Sequence, residues 1–330
     1  MSGLTYIKKV AIVGATGTIG KYIVDALLQK GKHEVTAITR KGSTNVMPAG
    51  VTVAVVDYEN PSTLVDALRG QEALIITLPS TGLDQQATQL RLVEAAAEAG
   101  VPYILPNEWT VDMADENLAN DVLFSGEREI RRRIQELGVS VWMAVITSFW
   151  YEFSLGFSQL CYGLDWAGRT FTFYDEGTQK INTITMPQNG RAVANLLSLP
   201  IQTADGAPSL DGYRNKFVYV SSFLVSQRDM FESVLRVTGT KADEWTLRHE
   251  DVAERYQDGM KTMRAGERTG YIKSLYARVF YPDGSGNFEA RRGLDNDALG
   301  LPREDLDEWT RVAINNAEAG IRYGPGSGSS

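Results

Sequence analysis

Three glycines at a regular spacing constrain this chain more than any other feature of its sequence. Gly14, Gly17 and Gly20 follow the apolar run Val10–Val13 and precede a stretch with helical periodicity that extends to Leu28. The order strand, glycine turn and helix is typical of a site for the pyrophosphate of a dinucleotide, because free N–H groups at the start of the helix face the phosphates. A glycine-rich turn without a ligand is the alternative, and the position between a strand and a helix argues against it.

The small residues of this turn have distinct expected roles. Gly14 permits a sharp turn, Gly17 lets the backbone approach the phosphates, and Gly20 lets the helix lie close to the strand. The residues expected to contact the cofactor here are Gly14, Thr16, Gly17, Thr18, Ile19 and Gly20.

The end of the second predicted strand indicates which dinucleotide is bound. His33–Thr39 is an alternating apolar run, and Arg40 and Lys41 follow it. A site for NAD usually carries an acidic residue here, which holds the ribose hydroxyls and repels a 2′-phosphate. Two cations in its place favour NADP(H), since a guanidinium binds phosphate in two places. The alternative is that Arg40 and Lys41 form a solvated loop.

Strands and helices alternate through residue 150. The predicted strands are Val10–Val13, His33–Thr39, Val51–Val56, Ala73–Leu78, Tyr103–Leu105 and Ser140–Val145, and the predicted helices after the first are Pro61–Leu68, Asp84–Ala99 and Val122–Leu137. This order predicts an α/β fold with a Rossmann doubly wound parallel sheet, whose ligands bind beyond the carboxyl ends of the strands. Further cofactor contacts are therefore expected at the strand ends, from Asp57, Thr77, Leu78 and Asn107.

The remainder of the chain is less regular. We expect residues 1–150 to form the Rossmann domain, with returning segments near 181–225 that include a strand at Val218–Val220. Residues 151–330 are expected to form mostly a smaller, largely helical substrate domain that ends in a flexible tail at 324–330. Its predicted helices are Gln227–Thr238, Arg248–Ala265, Tyr271–Val279 and Arg303–Ala319.

Composition excludes several classes of protein. The net charge of −8 argues against a nucleic-acid surface. One cysteine and two histidines argue against a disulfide framework and a metal site, and His33 is expected to be exposed in a polar turn. No apolar run has the ~20 residues that span a bilayer, and the first residues lack the apolar core of a signal peptide. These features predict a cytoplasmic protein without a membrane partner, and carry no signal for an oligomeric state.

Aromatic residues crowd the segment that follows the sixth strand. Most are expected to form a core, whereas those near the strand ends are expected to line a pocket for an apolar or aromatic small molecule. The expected substrate contacts are Trp109, Phe149, Trp150 and Phe153. Tyr151 is a candidate proton donor near the nicotinamide.

The ordered motifs of the chain resemble those of the NmrA-like and isoflavone-reductase-like group of atypical short-chain dehydrogenases. They are the glycine turn Gly14–Gly20, the pair Thr39-Arg40, and the segments Ala97–Trp109, Glu129–Ile134 and Leu299–Leu306. The resemblance implies an NADP-binding Rossmann domain, a C-terminal domain over the nicotinamide, and reduction of small aromatic or alkaloid-like metabolites, often in fungal secondary metabolism.

One position departs from this pattern. Reductases of the resembling group carry a catalytic lysine three residues before an Ile-Arg-Arg motif, and here that position is Glu127. Glu127 has two interpretations: a surface acid that pairs with Arg131 one helical turn on, or a cleft-facing acid that transfers a proton or balances a cationic substrate.

Three functions follow from these features. The leading one is an NADP(H)-dependent oxidoreductase that transfers hydride without the usual lysine. The alternatives are a non-catalytic regulator that senses NADP, and a cyclase or isomerase of a biosynthetic pathway that keeps NADP(H) bound.

Overall fold

A computed structural model describes residues 5–79, 85–124, 126–204 and 206–320. Its strands are β1 (Lys9–Val13), β2 (Glu34–Arg40), β3 (Thr52–Val56), β4 (Ala73–Ile76), β5 (Tyr103–Leu105), β6 (Val141–Ile146), β7 (Phe149–Trp150), β8 (Leu164–Asp165), β9 (Thr170–Tyr174), β10 (Lys180–Ile184), β11 (Lys216–Tyr219), β12 (Phe223–Ser226) and β13 (Thr246–Glu250). Its α-helices are α1 (Gly20–Lys30), α2 (Pro61–Leu68), α3 (Gln85–Ala99), α4 (Glu116–Ala119), α5 (Glu127–Leu137), α6 (Tyr151–Phe157), α7 (Gln159–Tyr162), α8 (Met186–Leu197), α9 (Gln227–Thr238), α10 (Val252–Arg264), α11 (Arg268–Val279), α12 (Glu289–Arg292) and α13 (Leu306–Glu318).

Seven parallel strands form the central sheet, in the order β11-β6-β5-β4-β1-β2-β3. The central strands are continuous apolar runs because helices cover both of their faces. Every residue of β4 and β6 is buried, as are Val10–Val13 of β1. All seven carboxyl ends lie at one edge of the sheet, which the doubly wound α/β prediction requires.

Helices pack on the two faces of this sheet. One face is covered by α1 and α8, and its core includes Ile23, Leu27 and Val193. The other is covered by α2, α3 and α5, with Leu64, Leu92 and Ile134 in its core. The α1–α8 contact is close, because a Cβ added at Gly190 would lie 2.2 Å from the carbonyl oxygen of Tyr22.

The C-terminal region contains two three-stranded sheets, β12-β10-β7 and β13-β9-β8, together with the later helices. Aromatic side chains dominate its core, and the largest fully buried ones are Tyr151, Tyr162, Phe171, Phe173 and Phe288. Two segments return to the central sheet: β11 pairs with β6, and α8 packs on α1.

Three expectations from the sequence need correction. The predicted helix Arg248–Ala265 is wrong at its start, because Thr246–Glu250 pairs with β9 as a strand and Asp251 caps α10. The predicted helix Val122–Leu137 is two elements, a 3-10 turn at Val122–Phe124 and then α5. His33 is buried rather than exposed, because its ring bonds the carbonyl of Ile7 and the hydroxyl of Ser198.

Two predicted features lie outside the described residues: Asp84, at the predicted start of α3, and the tail at 324–330. None of the helices in the described ranges is both long and apolar enough to cross a membrane.

Candidate functional site

The glycine turn between β1 and α1 is held against the end of β4. Gly14 has φ +81°, and a Cβ there would lie 2.1 Å from the carbonyl oxygen of Thr77. A Cβ at Gly20 would lie 2.0 Å from the carbonyl oxygen of Gly14. The Thr77 hydroxyl donates to the carbonyl of Val13 at 2.7 Å. The turn therefore fits only residues without a Cβ at these two positions. The hydrogen bond of Thr77 holds the end of β4 against the end of β1.

The start of α1 is suited to an anion. Its N-cap, Ile19, has a buried side chain and provides no side-chain hydrogen bond, and the first turn contains no acidic residue. Thr16, Gly17 and Thr18 are half-buried at the mouth of the turn. The helix dipole and the terminal N–H groups favour negative charge at such an end, so these residues could hold a pyrophosphate.

The end of β2 presents two exposed cations. Arg40 and Lys41 are exposed, and no carboxylate among the described residues forms an ion pair with either of them. Burial raises the pKa of the half-buried Tyr58 phenol to about 12, and the positive charge of the nearby Arg40 opposes this rise. Asp57 is exposed after β3, where its carboxylate accepts the N–H of Glu59 at 3.0 Å. The arrangement leaves positive charge available for a phosphate beside this strand end.

The ends of β4 and β5 are tied together by side chains that were expected to contact ligands. The Asn107 amide donates to the carbonyl of Leu78 at 3.1 Å, and the Trp109 indole donates to the carbonyl of Ile76 at 2.8 Å. The backbone N–H of Asn107 donates to Gln89 at 2.7 Å. Asn107, Leu78 and Trp109 are each half-buried at this edge, so the structure brings them together there.

A buried ion pair lies behind the same edge. The Glu108 carboxylate, with no exposed side-chain area, accepts a hydrogen bond from the guanidinium of Arg131, which is 9% exposed. The guanidinium carbon lies 4.9 Å from the ring centroid of Phe217 and 5.4 Å from that of Trp142. Arg131 therefore has a buried partner in the loop that follows β5.

Glu127 is the first residue of α5, so its backbone is at the start of the helix whose inner face carries Ile130 and Ile134. Its side chain lies outside what the structure describes. The expectation that its carboxylate faces the cleft stays a prediction.

Half-buried aromatic residues follow β6. Phe149 stacks on Tyr276 with 4.1 Å between ring centroids, and Trp150 packs edge-on against Phe153 at 5.8 Å. Trp150, Phe153 and Trp109 pack on the core that α1 and α8 share with the sheet. Trp150, Phe153 and Trp109 thus lie on the α1 side of the sheet, whereas Phe149 packs on the C-terminal core.

Tyr151 occupies a different environment from its neighbours. It is fully buried, and its hydroxyl is 2.6 Å from that of Thr310. Burial raises the pKa of this phenol well above its ordinary value. The structure therefore places Tyr151 in the core of the C-terminal region, which does not favour a role in proton transfer at the sheet edge.

Two residues that the sequence analysis did not select lie beside these aromatics. Ser148 has φ +54°, is 3% exposed, and has a buried hydroxyl without a partner among the described residues. Glu152 is 1% exposed, and burial raises the pKa of its carboxyl from 4.5 to about 7. A lone acid in the aromatic run Phe149–Phe153 was the available signal for Glu152, whereas nothing in the sequence indicates the backbone of Ser148.

Several known proteins resemble this chain in sequence or in fold. The model of the NmrA-like family matches residues 7–201. The chain is 27% identical over 307 residues to the oxidoreductase aprR of Aspergillus flavus, covering 91% of this chain and 96% of that relative. It is also 27% identical over 315 residues to the oxidoreductase poxI of Penicillium oxalicum, covering 89% and 90%. The solved structure of AtPrR2 with NADP+ and (+)-pinoresinol superposes with a TM-score of 0.70 at 18% identity, covering 94% of this chain and 100% of that one.

Proposed function

Because the chain belongs to the NmrA-like family, we propose that it is an NADPH-dependent reductase of a small aromatic or alkaloid-like secondary metabolite. The fungal relatives aprR and poxI are named as oxidoreductases and align over most of their length. The structural neighbour AtPrR2 carries NADP+ together with an aromatic compound. These relatives support a nucleotide-dependent reduction as the class of reaction.

The observation that carries the proposal is the pairing of the glycine turn with two exposed cations. The turn leaves no room for a Cβ at Gly14 or Gly20, and α1 begins without an acidic residue. Arg40 and Lys41 follow the adjacent strand, where a site for NAD would carry a carboxylate. This donor set fits the pyrophosphate and the 2′-phosphate of NADPH.

Each part of the site then has a defined task. The start of α1, with Thr16, Gly17 and Thr18, binds the pyrophosphate, and Arg40 and Lys41 bind the 2′-phosphate. When bound, NADPH supplies a hydride. Asn107 and Trp109 join the ends of β4 and β5 at the edge of the sheet where the nicotinamide would bind.

The aromatic side chains after β6 form the proposed substrate side of the cleft. Phe149, Trp150 and Phe153 would stack on a flat substrate and exclude water from it. Glu127, at the start of α5, is proposed to carry a proton to the substrate or to balance its positive charge. A substrate that already carries an activated C=N bond needs little further acid catalysis.

The experiment is a screen of NADPH oxidation against aromatic and indole-type metabolites, followed by mass analysis of the products. We expect NADPH to be consumed with a product two hydrogens heavier than its substrate. A product of unchanged mass, formed without NADPH consumption, would instead indicate an isomerase or cyclase. Tight NADPH binding without turnover of any compound would favour the regulator.

A further inference from the structure

Polar atoms without partners cluster around the junction of β7, α6 and α8. They are Oε2 of Glu152, Nε1 of Trp150, and both side-chain amide atoms of Asn189, each buried and without a hydrogen-bond partner among the described residues. Glu152 and Asn189 are 1% and 0% exposed. Buried polar groups normally find partners, so such a cluster indicates bound water or a functional proton.

Connectivity places these three residues beside one another. Trp150 pairs with Ile184, the last residue of β10, and Glu152 is the second residue of α6, which follows β7 directly. The other carboxyl oxygen of Glu152 accepts the N–H of Met186, the first residue of α8, at 2.9 Å. Asn189 is the third residue after Met186 on the same helix and is fully buried.

Burial is the main cause of the raised pKa of Glu152, and the charge of Glu304 acts in the same direction. Glu304 faces it from the segment before α13, and Glu304 is itself bound by Arg191, Thr185 and Ser222. The pair Arg236–Asp307 lies on the side of Tyr151. Glu152 therefore has an acidic neighbour and, among the described residues, no cation that forms an ion pair with it, which opposes ionisation of its carboxyl.

The anionic form is nevertheless accessible. Glu152 lies in the first turn of α6 and bonds the first N–H of α8, and both helix ends favour negative charge. Its pKa, raised by burial to about 7, makes both forms available near neutral pH.

We propose that Glu152 is the proton reservoir of the cleft: it is neutral while the reduced cofactor is bound and ionises, through buried water held by Asn189 and Trp150, when the oxidised cofactor is present. The proposal rests on the proposed reductase function, because reduction consumes one hydride and one proton. The O–H bond of Glu152 breaks, its proton passes to the water, and a proton of that water replaces the one that the proton donor of the cleft delivers to the nitrogen or oxygen of the reduced substrate. Solvent then restores the proton to the carboxylate.

Trp150 links this cluster to the cleft. Its ring is half-buried beside Phe153, at the edge where the substrate is proposed to bind, while its N–H is buried. Trp150 therefore contributes both to the exposed edge and to the set of buried polar atoms without partners.

The test measures the binding of NADP+ and NADPH by calorimetry between pH 6 and pH 8, which requires no substrate. The oxidised nicotinamide is cationic, so an ionised Glu152 favours it over the reduced form. We expect the affinity ratio of NADP+ to NADPH to rise roughly five- to tenfold over this range. Glu152→Gln should make the ratio independent of pH, because the amide does not titrate.

Two further measurements keep the outcome decisive. Wild-type protein should release a proton on binding NADP+, detected as a difference between the heats in phosphate and Tris buffers, which needs no variant. Glu127→Gln makes the same substitution at the other candidate acid. If the affinity ratio lost its pH dependence in Glu127→Gln but kept it in Glu152→Gln, the proposal would be overturned. A flat ratio in wild type would also overturn it. If neither nucleotide binds wild type, the proposed reductase function fails, and this inference fails with it.

Discussion

At the scale of single residues, Glu127 is the position where this chain leaves the pattern of the reductases it resembles. The backbone places it at the start of α5, four residues before Arg131. Arg131 is bound to the buried carboxylate of Glu108, so the guanidinium already has a partner. A surface pair between Glu127 and Arg131 would have to compete with this ion pair, and the cleft-facing role of Glu127 stays a prediction.

We predict that Glu127→Gln binds NADPH like wild type but turns over ~100-fold more slowly, as is typical when a general acid or base is lost. The measurement is single-turnover NADPH oxidation with a substrate found in the screen. Glu129→Gln, two residues along the same helix and exposed, is the matched control. Equal rates for Glu127→Gln and wild type would assign the proton to another group.

At the scale of elements, the connection from β1 to α1 depends on an interlocked turn. Gly14 and Gly31 both have positive φ, +81° and +64°. A Cβ at Gly14 would collide with the backbone of Thr77, whereas one at Gly31 would meet nothing within 4 Å. Alanine substitutions at the two glycines therefore distinguish the cost of a left-handed backbone from the cost of a steric clash.

We predict that Gly31→Ala destabilises the fold by about 1 kcal/mol, the cost of the left-handed backbone for alanine. Gly14→Ala should cost clearly more, by roughly 2 kcal/mol or above, and should also abolish NADPH binding, because Thr77 must move. Urea denaturation and nucleotide titration check both variants. Equal stabilities of the two variants would contradict the described contact between the turn and β4.

Sequence patterns predicted these central elements well, for physical reasons. Apolar runs that are buried on both faces have few alternatives to a parallel strand, so β1, β4, β5 and β6 were placed within a few residues. The helix predicted over Arg248–Ala265 was wrong at its start because β13 is a polar, exposed edge strand that pairs with β9. Local periodicity does not reveal such a tertiary pairing.

The parts of the candidate site that depend on local sequence could be predicted. The glycine turn and the two cations follow from spacing and strand ends. The hydrogen bonds of Asn107 and Trp109 across two strand ends, and the fully buried position of Tyr151, depend on packing between distant segments. Glu152 was missed for the same reason, since its neighbours Met186 and Glu304 are remote in sequence.

At the scale of the whole molecule, Glu152 links stability to pH. Its pKa in the folded protein is about 7, above the ordinary 4.5, so the folded state binds more protons than the unfolded state between these values. The free energy of unfolding should therefore fall as the pH rises from 4.5 through 7.

Glu152→Gln removes this titration. We predict that its stability relative to wild type increases between pH 5 and pH 8, by up to about 3 kcal/mol. Thermal or urea unfolding at each pH measures the difference. A stability difference that is constant over this range would show that Glu152 has an ordinary acidity.

The central claim, a nucleotide site selective for NADPH, is tested most directly by calorimetric titration of the wild-type chain with NADPH and NADH. We predict that NADPH binds at least tenfold more tightly, because a charge-assisted contact to the 2′-phosphate contributes ~1.5–3 kcal/mol. Arg40→Ala should remove most of this preference, while Arg69→Ala, an exposed arginine on α2's C-terminal side, should leave it intact. Equal affinities for NADPH and NADH in wild type, or an unchanged preference in Arg40→Ala, would contradict the account.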